Sequence, residues 1–252
     1  MSKKDERLNK VGYNNNGERM IIIRYGNSND IDVQFDDATI VEHKQYNDFK
    51  KRRINNPMTP TVCGVGFIGI GRFKSVDEIG KHKKCYDTWS SMYTRCYNPK
   101  FQEKYPTYEN CTVCEEWNNY QMYGKWFEEN YYEVENEKMA LDKDILKKGN
   151  KVYSPDTCVF VPQSINKLFV KSNKIRGDYP IGVYKYKDKF QAHLNKGNKL
   201  INLGYFNTPE EAFLAYKEAK EQYIKEVAEE YKDKIPYRLY EALMNYEVEI
   251  DD

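Results

Sequence analysis

The hydrophobic repeat changes period twice along this chain, and that change excludes most single-architecture folds. From Lys10 to about Gly71 apolar residues come in short alternating or β-branched runs. Between residues 81 and 137 they recur at spacings of three and four, and from Ile181 they alternate again before a last helical stretch. Alternation puts residues i and i+2 on one side of a strand, whereas spacings of three and four build a stripe along a helix. Neither a helical bundle nor an all-β sandwich accommodates both patterns. The chain therefore reads as a multidomain α+β protein with three segments, 1–80, 81–170 and 171–252.

In the first segment the apolar runs are Met20-Ile-Ile-Ile-Arg-Tyr, Ile31-Asp-Val-Gln-Phe, Thr39-Ile-Val and Val62-Cys-Gly-Val-Gly-Phe-Ile-Gly-Ile. Turn formers separate them: Asn14-Asn-Asn-Gly, Gly26-Asn-Ser-Asn-Asp and Asn55-Asn-Pro. About five strands in such a length suit a small antiparallel SH3-like β-barrel. Gly64, Gly66, Gly69 and Gly71 lack the helix start and the Lys-Ser/Thr pair that a phosphate loop needs.

The second segment turns helical. Tyr86, Trp89, Met92, Tyr93 and Cys96 mark one helix, and Trp117, Tyr120, Tyr123 and Phe127 mark another, with a turn-rich loop from Tyr97 to Tyr108 between them. Cys158-Val-Phe-Val-Pro predicts a short strand, residues 163–170 a helix, and residues 171–180 a linker. Three strands follow, over about 181–186, 189–195 and 199–206, joined at Lys187-Asp and Lys196-Gly-Asn. Thr208-Pro-Glu-Glu then supplies an N-cap, a proline for the first helical position and two acids for the first turn. Ala212, Ala215, Tyr216, Ala219, Tyr223 and Val227 form the apolar stripe of a long helix ended by Ile235-Pro, and Tyr237 to Leu243 predicts one more short helix.

Composition bounds the function. The chain has 252 residues, with 40 Lys+Arg against 39 Asp+Glu and a net charge of +1, so it is no polybasic tail. Its 23 Tyr, 11 Phe and 3 Trp supply core side chains that a disordered chain lacks. Apolar runs such as 20–23 and 159–161 fall far short of the roughly 20 residues of a membrane span, and no apolar signal core follows Met1. A cytoplasmic protein with no membrane partner is expected. The neutral total hides a segregation: residues 171–207 carry 8 basic and 2 acidic side chains, residues 208–252 carry 6 and 13. A basic patch is thus followed by an acidic helical tail, which either stays solvated or screens the patch.

Six cysteines without a signal peptide read as thiols or metal ligands rather than a disulfide framework. Cys111-Thr-Val-Cys114 has the gap of a zinc knuckle, and Cys96 and Cys158 would complete a structural zinc site; burial as small apolar groups is the alternative. Lys50-Lys-Arg-Arg either grips phosphate or protects an edge strand by charge.

Two resemblances sharpen this outline. Gly182-Val-Tyr, Phe190-Gln-Ala, Leu203-Gly-Tyr-Phe, Thr208-Pro-Glu-Glu-Ala and Ala215-Tyr together resemble the plant ethylene-response-factor (APETALA-type) DNA-binding domain, over about 45 residues. The resemblance implies a three-stranded antiparallel sheet packed on a helix, with the sheet in the major groove and Tyr184, Tyr186, His193, Asn195 and Asn202 facing DNA. Several of these positions are arginine in the plant proteins and none is here. Base readout through guanine is then lost, and Lys185, Lys187, Lys189, Lys196 and Lys199 are expected to act on phosphates.

The middle segment resembles phage-encoded HNH-type endonuclease relatives. Trp89-Ser-Ser-Met-Tyr-Thr-Arg-Cys-Tyr-Asn-Pro, Val113-Cys-Glu-Glu-Trp, Leu141-Asp-Lys-Asp, Tyr153-Ser-Pro-Asp-Thr-Cys and Asn166 carry that likeness. It implies a nuclease fold in which Asp142, Asp144 and Asn166 would hold Mg or Mn. No histidine lies between His82 and His193, so the general base of such a site is missing and a degenerate centre with weak or no cleavage is expected. The combination implies a phage or prophage protein in the bacterial host cytoplasm. Its partner would be double-stranded DNA or, as the alternative, a host defence or regulatory protein complex that it antagonises.

Overall fold

A computed structural model of the chain describes residues 3–169, 179–197 and 199–250. Val170, residues 171–178 of the expected linker and Asn198 of the expected turn lie outside the described residues. The chain is α+β and divides into two compact units, residues 1–129 and 130–252.

The first unit opens with a short helix α1 (Lys3–Arg7) and a four-stranded antiparallel meander: β1 (Val11–Tyr13), β2 (Arg19–Asn27), β3 (Asp30–Phe35) and β4 (Ile40–Lys44). The alternation in β2 and β3 sends Met20, Ile22, Ile31, Val33 and Phe35 to one side, where Tyr46 and Phe49 of α2 (Tyr46–Lys50) complete a core. Asn14 makes the first turn: its Oδ1 accepts the N–H groups of Asn16 (3.0 Å) and Glu18 (2.9 Å).

The sheet stays open among the described residues, so the expected closed barrel is corrected. The fifth apolar run is a strap rather than a closing strand. Val62 bridges only to Gly66, and Phe67 pairs with Asn119 through N–H to the Asn118 carbonyl at 2.8 Å. Glycine decides this outcome. Gly66 lies so close to the Trp89 ring that a Cβ there would come within 2.9 Å of it, and a strand of such glycines has no side chains to pack on a sheet. Gln121 holds the strap down, with Nε2 donating to the carbonyls of Ile68 (3.0 Å) and Phe73 (2.9 Å).

Beneath the strap lies an aromatic core. Helix α3 (Lys84–Tyr97) and helix α5 (Tyr120–Asn130) contribute Trp89, Tyr93, Tyr120, Tyr123 and Trp126, and Trp117 joins from a 3-10 turn between them. Trp89 Nε1 donates to the Trp117 carbonyl at 2.8 Å, and Tyr93 donates its hydroxyl to Asn118 Oδ1 at 2.8 Å. The segment read as a loop from Tyr97 contains a short helix α4 (Pro99–Lys104) and a two-residue strand β5 (Thr112–Val113). Asn98 caps α4 through Oδ1 to the Phe101 N–H (3.1 Å), with Pro99 in its first turn.

The second unit contains two small assemblies on one long helix. Strand β6 (Met139–Asp142) is followed by a two-residue strand β7 (Val152–Tyr153). Strand β6 pairs antiparallel with β8 (Val159–Pro162), which runs into α6 (Gln163–Asn166). Strands β9 (Val183–Tyr186), β10 (Lys189–Lys196) and β11 (Lys199–Phe206) form a three-stranded antiparallel sheet with β10 in the middle. Helix α7 (Pro209–Tyr231) starts at a reciprocal capping box: Thr208 Oγ1 accepts the Glu211 N–H at 3.2 Å, and Glu211 accepts the Asn207 and Thr208 N–H groups. Helix α8 (Tyr237–Met244) follows Pro236.

Helix α7 serves two cores in turn. Ala212, Phe213 and Tyr216 pack on Val183, Ala192 and Leu194 of the sheet. One turn and more beyond, Ile224, Val227 and Ala228 pack with Val159, Val161, Ile165, Leu239 and Leu243. No helix among the described residues is long and apolar enough to cross a membrane.

Candidate nucleic-acid interface

The three-stranded sheet has one covered side and one open side, and its register says which residue is where. Across an antiparallel pair, opposed residues share a face. Val183, Ala192 and Gly204 are opposed, as are Leu194 and Ile201, and Ala192 and Leu194 are buried under α7. The other face carries Tyr184, Gln191 and Tyr205 in one row, then Tyr186 with Lys189, His193 with Asn202, and Asn195 with Leu200. Tyr184, Tyr186 and Tyr205 are 55%, 46% and 48% exposed, so no element among the described residues covers them. Their rings gather in two pairs, Tyr184 with His193 at 5.3 Å between centroids and Tyr186 with Tyr205 at 5.2 Å.

Two backbone features hold this face. A bulge between Ala192 and His193 is pinned by the His193 N–H donating to the Gly182 carbonyl (2.8 Å) and by Asn202 Oδ1 accepting the Gly204 N–H (3.0 Å). Gly182 lies at φ +78 with the Tyr216 ring so close that a Cβ would come within 2.1 Å of it; only glycine lets the sheet settle on α7 there.

The lysines expected to act together are divided by the pleat. Lys189 shares the open face with Tyr186, and Lys187 sits in the two-residue turn at φ +52, its ammonium 5.7 Å from the Tyr186 ring centre. Lys185 opposes Phe190 and lies over that ring at 4.2 Å, on the other face. Lys196 and Lys199 also oppose one another on the side of α7. There Lys196 forms an ion pair with Glu226 of α7 and lies 5.1 Å over the Tyr223 ring. The hydrogen bond between them holds the Lys196 ammonium above its ordinary range and the Glu226 carboxyl below its own. The acidic helix thus neutralises one of the five lysines of the sheet.

The second candidate, around Asp142, has the strand–strand–helix order but not a metal-ready donor set. Asp142 ends β6, half-buried, and its Oδ1 already accepts the N–H groups of Asp144 and Ile145, each at 2.8 Å. Burial and then the neighbouring Asp144 charge push its pKa up. Asp144 is exposed and accepts the Lys143 ammonium at 2.7 Å. Lys143 itself is only 5% exposed and also donates to the Asn150 carbonyl at 2.9 Å. Asn166 is the last residue of α6. A cation built into this corner competes with Mg or Mn for Asp144, and the residues present do not fit the ion. Sequence reasoning overlooked Lys143 and Asn150. Asn150 staples the β6–β8 connection by donating Nδ2 to the carbonyls of Lys143 (2.8 Å) and Val152 (2.7 Å). The signal was present in Lys147-Lys-Gly-Asn, whose Gly-Asn pair marks a turn.

Among the described residues the one group of three His, Cys, Asp or Glu side chains with ligand atoms within 4.8 Å of one another is Asp30, Asp32 and His43. The zinc candidates Cys96, Cys111, Cys114 and Cys158 form no such group. Cys96, Cys111 and Cys158 are buried, and burial pushes the Cys114 thiol up. The Asp30 cluster in turn belongs to Arg24. Its guanidinium donates to both oxygens of Asp30 (2.9 and 2.6 Å) and to both of Asp32, which holds the two carboxyls well below the usual carboxylate range. No protein-family model, no curated protein and no solved structure matches the chain.

Proposed function

We propose that the chain is a DNA-binding protein of phage or prophage origin whose C-terminal sheet is the contact surface. Its middle segment, on this reading, is an HNH-like scaffold that has lost the chemistry. The observation that carries the reading is the open face of β9–β11, where aromatic, amide and imidazole groups stand uncovered beside Lys187 and Lys189 while the opposite face is filled by α7. A surface so composed suits a partner that offers hydrogen bonds and negative charge. The loss of cleavage is supported by Lys143, a buried cation beside Asp142 and Asp144 where a nuclease of this kind needs a base and a metal.

Salt dependence tests the proposal. Binding of a labelled duplex should weaken as salt rises, and Lys187→Ala and Lys189→Ala combined should flatten the slope by roughly two phosphate contacts. Plasmid incubated with magnesium or manganese should stay uncut. If no duplex or single strand binds at low salt and a host protein copurifies instead, the surface serves protein antagonism and the DNA reading fails.

A further inference from the structure

The open face is better built for unpaired bases than for a duplex groove. Strands β9 to β11 contain no arginine, so the bidentate contact that reads guanine in the major groove is absent from the sheet. Of its five lysines, Lys196 is engaged by Glu226, and Lys185 lies on the opposite face over Phe190. What the face offers instead is ring area. Tyr186 on one edge strand meets Tyr205 on the other across the width of the sheet, and Tyr184 meets His193 of the central strand beside them. Each of the three tyrosines leaves about half of its surface to solvent, so one ring face stays available for stacking.

A paired base hides both of its π faces between its neighbours, and only a strand with splayed bases can use such rings. We infer that this face binds single-stranded DNA. Two bases stack on the Tyr184–His193 and Tyr186–Tyr205 pairs, Gln191 and Asn195 meet base edges, and Lys187 and Lys189 neutralise the passing phosphates. Charge complementarity fits the same occupant: residues 183–206 carry five lysines and one aspartate, enough to attract a strand but too few on the open face to track both backbones of a duplex.

The inference rests on the DNA-binding reading above, and one experiment separates the two. Fluorescence anisotropy on the full chain would compare labelled oligo-dT, a duplex of equal length and oligo-rU at the same salt. Oligo-dT should bind about tenfold tighter than the duplex, and Tyr184→Ala with Tyr205→Ala should weaken it by about tenfold or more. Tyr184→Phe with Tyr205→Phe should restore binding, because the ring and not the hydroxyl carries it. Far-UV circular dichroism should be unchanged in both, since the side chains are exposed. Tighter duplex binding, or an alanine pair without effect, would overturn the stacking inference and leave DNA binding intact. Tighter oligo-rU binding would overturn the choice of DNA. Binding to none of the three would remove both readings.

Discussion

The chain contains two antiparallel sheets of comparable size that treat their polar faces in opposite ways. In the N-terminal sheet Arg24 and Asp32 are opposed on adjacent strands, and together with Asp30 and His43 they are hydrogen-bonded to one another. In the C-terminal sheet the open face carries rings, amides and an imidazole that make few bonds among themselves. The first arrangement serves the fold, since a charge network satisfied internally has little left to give a ligand. The second leaves its chemistry facing outward. Counting polar residues on a sheet does not separate these cases; asking what each group is bonded to does.

The largest expected effect tests the first sheet as structure. Phe35→Ala opens the core under it and should cost about 3–5 kcal/mol. Urea denaturation followed by tryptophan fluorescence is the measurement, because Trp89, Trp117 and Trp126 all lie in the first unit. Binding to DNA should be unaffected at low urea.

Asp32→Asn should cost about 1–3 kcal/mol, by loss of charge-assisted hydrogen bonds to Arg24. The pH dependence has a definite sign. The Asp32 pKa is depressed in the folded state, so its contribution is complete above the unfolded carboxyl value, about 3.9. It is lost as pH falls through the folded value. Stability curves of wild type and Asp32→Asn should therefore run parallel from pH 5 to 7 and converge below about pH 4.

Thr208→Ala removes one side of the capping box and should cost about 1 kcal/mol. The loss should appear as a lower unfolding midpoint in far-UV circular dichroism, which reports α7. Tyr186→Ala on the open face should change stability by less than about 0.5 kcal/mol, the expectation for an exposed site. A larger loss would mean that the second sheet, like the first, uses its outer face for the fold.

The smallest effect is electrostatic. Glu226→Gln frees Lys196 and should steepen the dependence of DNA affinity on salt by about one contact, a slope change near 0.9. An unchanged slope would show that Lys196 lies too far round the sheet to reach a phosphate.

Much of this architecture was legible because local chemistry and tertiary fold agree. The three C-terminal strands and the cap at Thr208 fall close to where alternation and the Thr-Pro-Glu-Glu signal put them. The helix around Trp89 also follows its period. The strap at 62–70 was misread because β-branched residues and aromatics have the same look in a strand and in a loop pressed on rings. The deciding contacts, Gly66 on Trp89 and Gln121 on Ile68 and Phe73, are 23 to 53 residues apart in sequence. Stripe reading along α7 named Tyr216 and Val227 but missed Phe213 and Ile224, because the buried side rotates as the helix passes from one core to the next. The site was half legible. Alternation placed Tyr184, Tyr186, His193 and Asn195 on one side. The capture of Lys196 by Glu226, 30 residues away, had no local signal.

The double service of α7 has a consequence for how such a protein can be inherited. A segment of 34 residues from Gly182 to Ala215 looks like a cassette that recombination could lift out whole. In this chain the helix that closes the sheet also fills the core of the β6–β8 pair. A breakpoint within the helix would strip one partner of its cover, and a breakpoint before Tyr179 would export a helix whose second half exposes Ile224 and Val227 to water. The sheet and the strand pair before it are therefore expected to travel, and to diversify, as one heritable block.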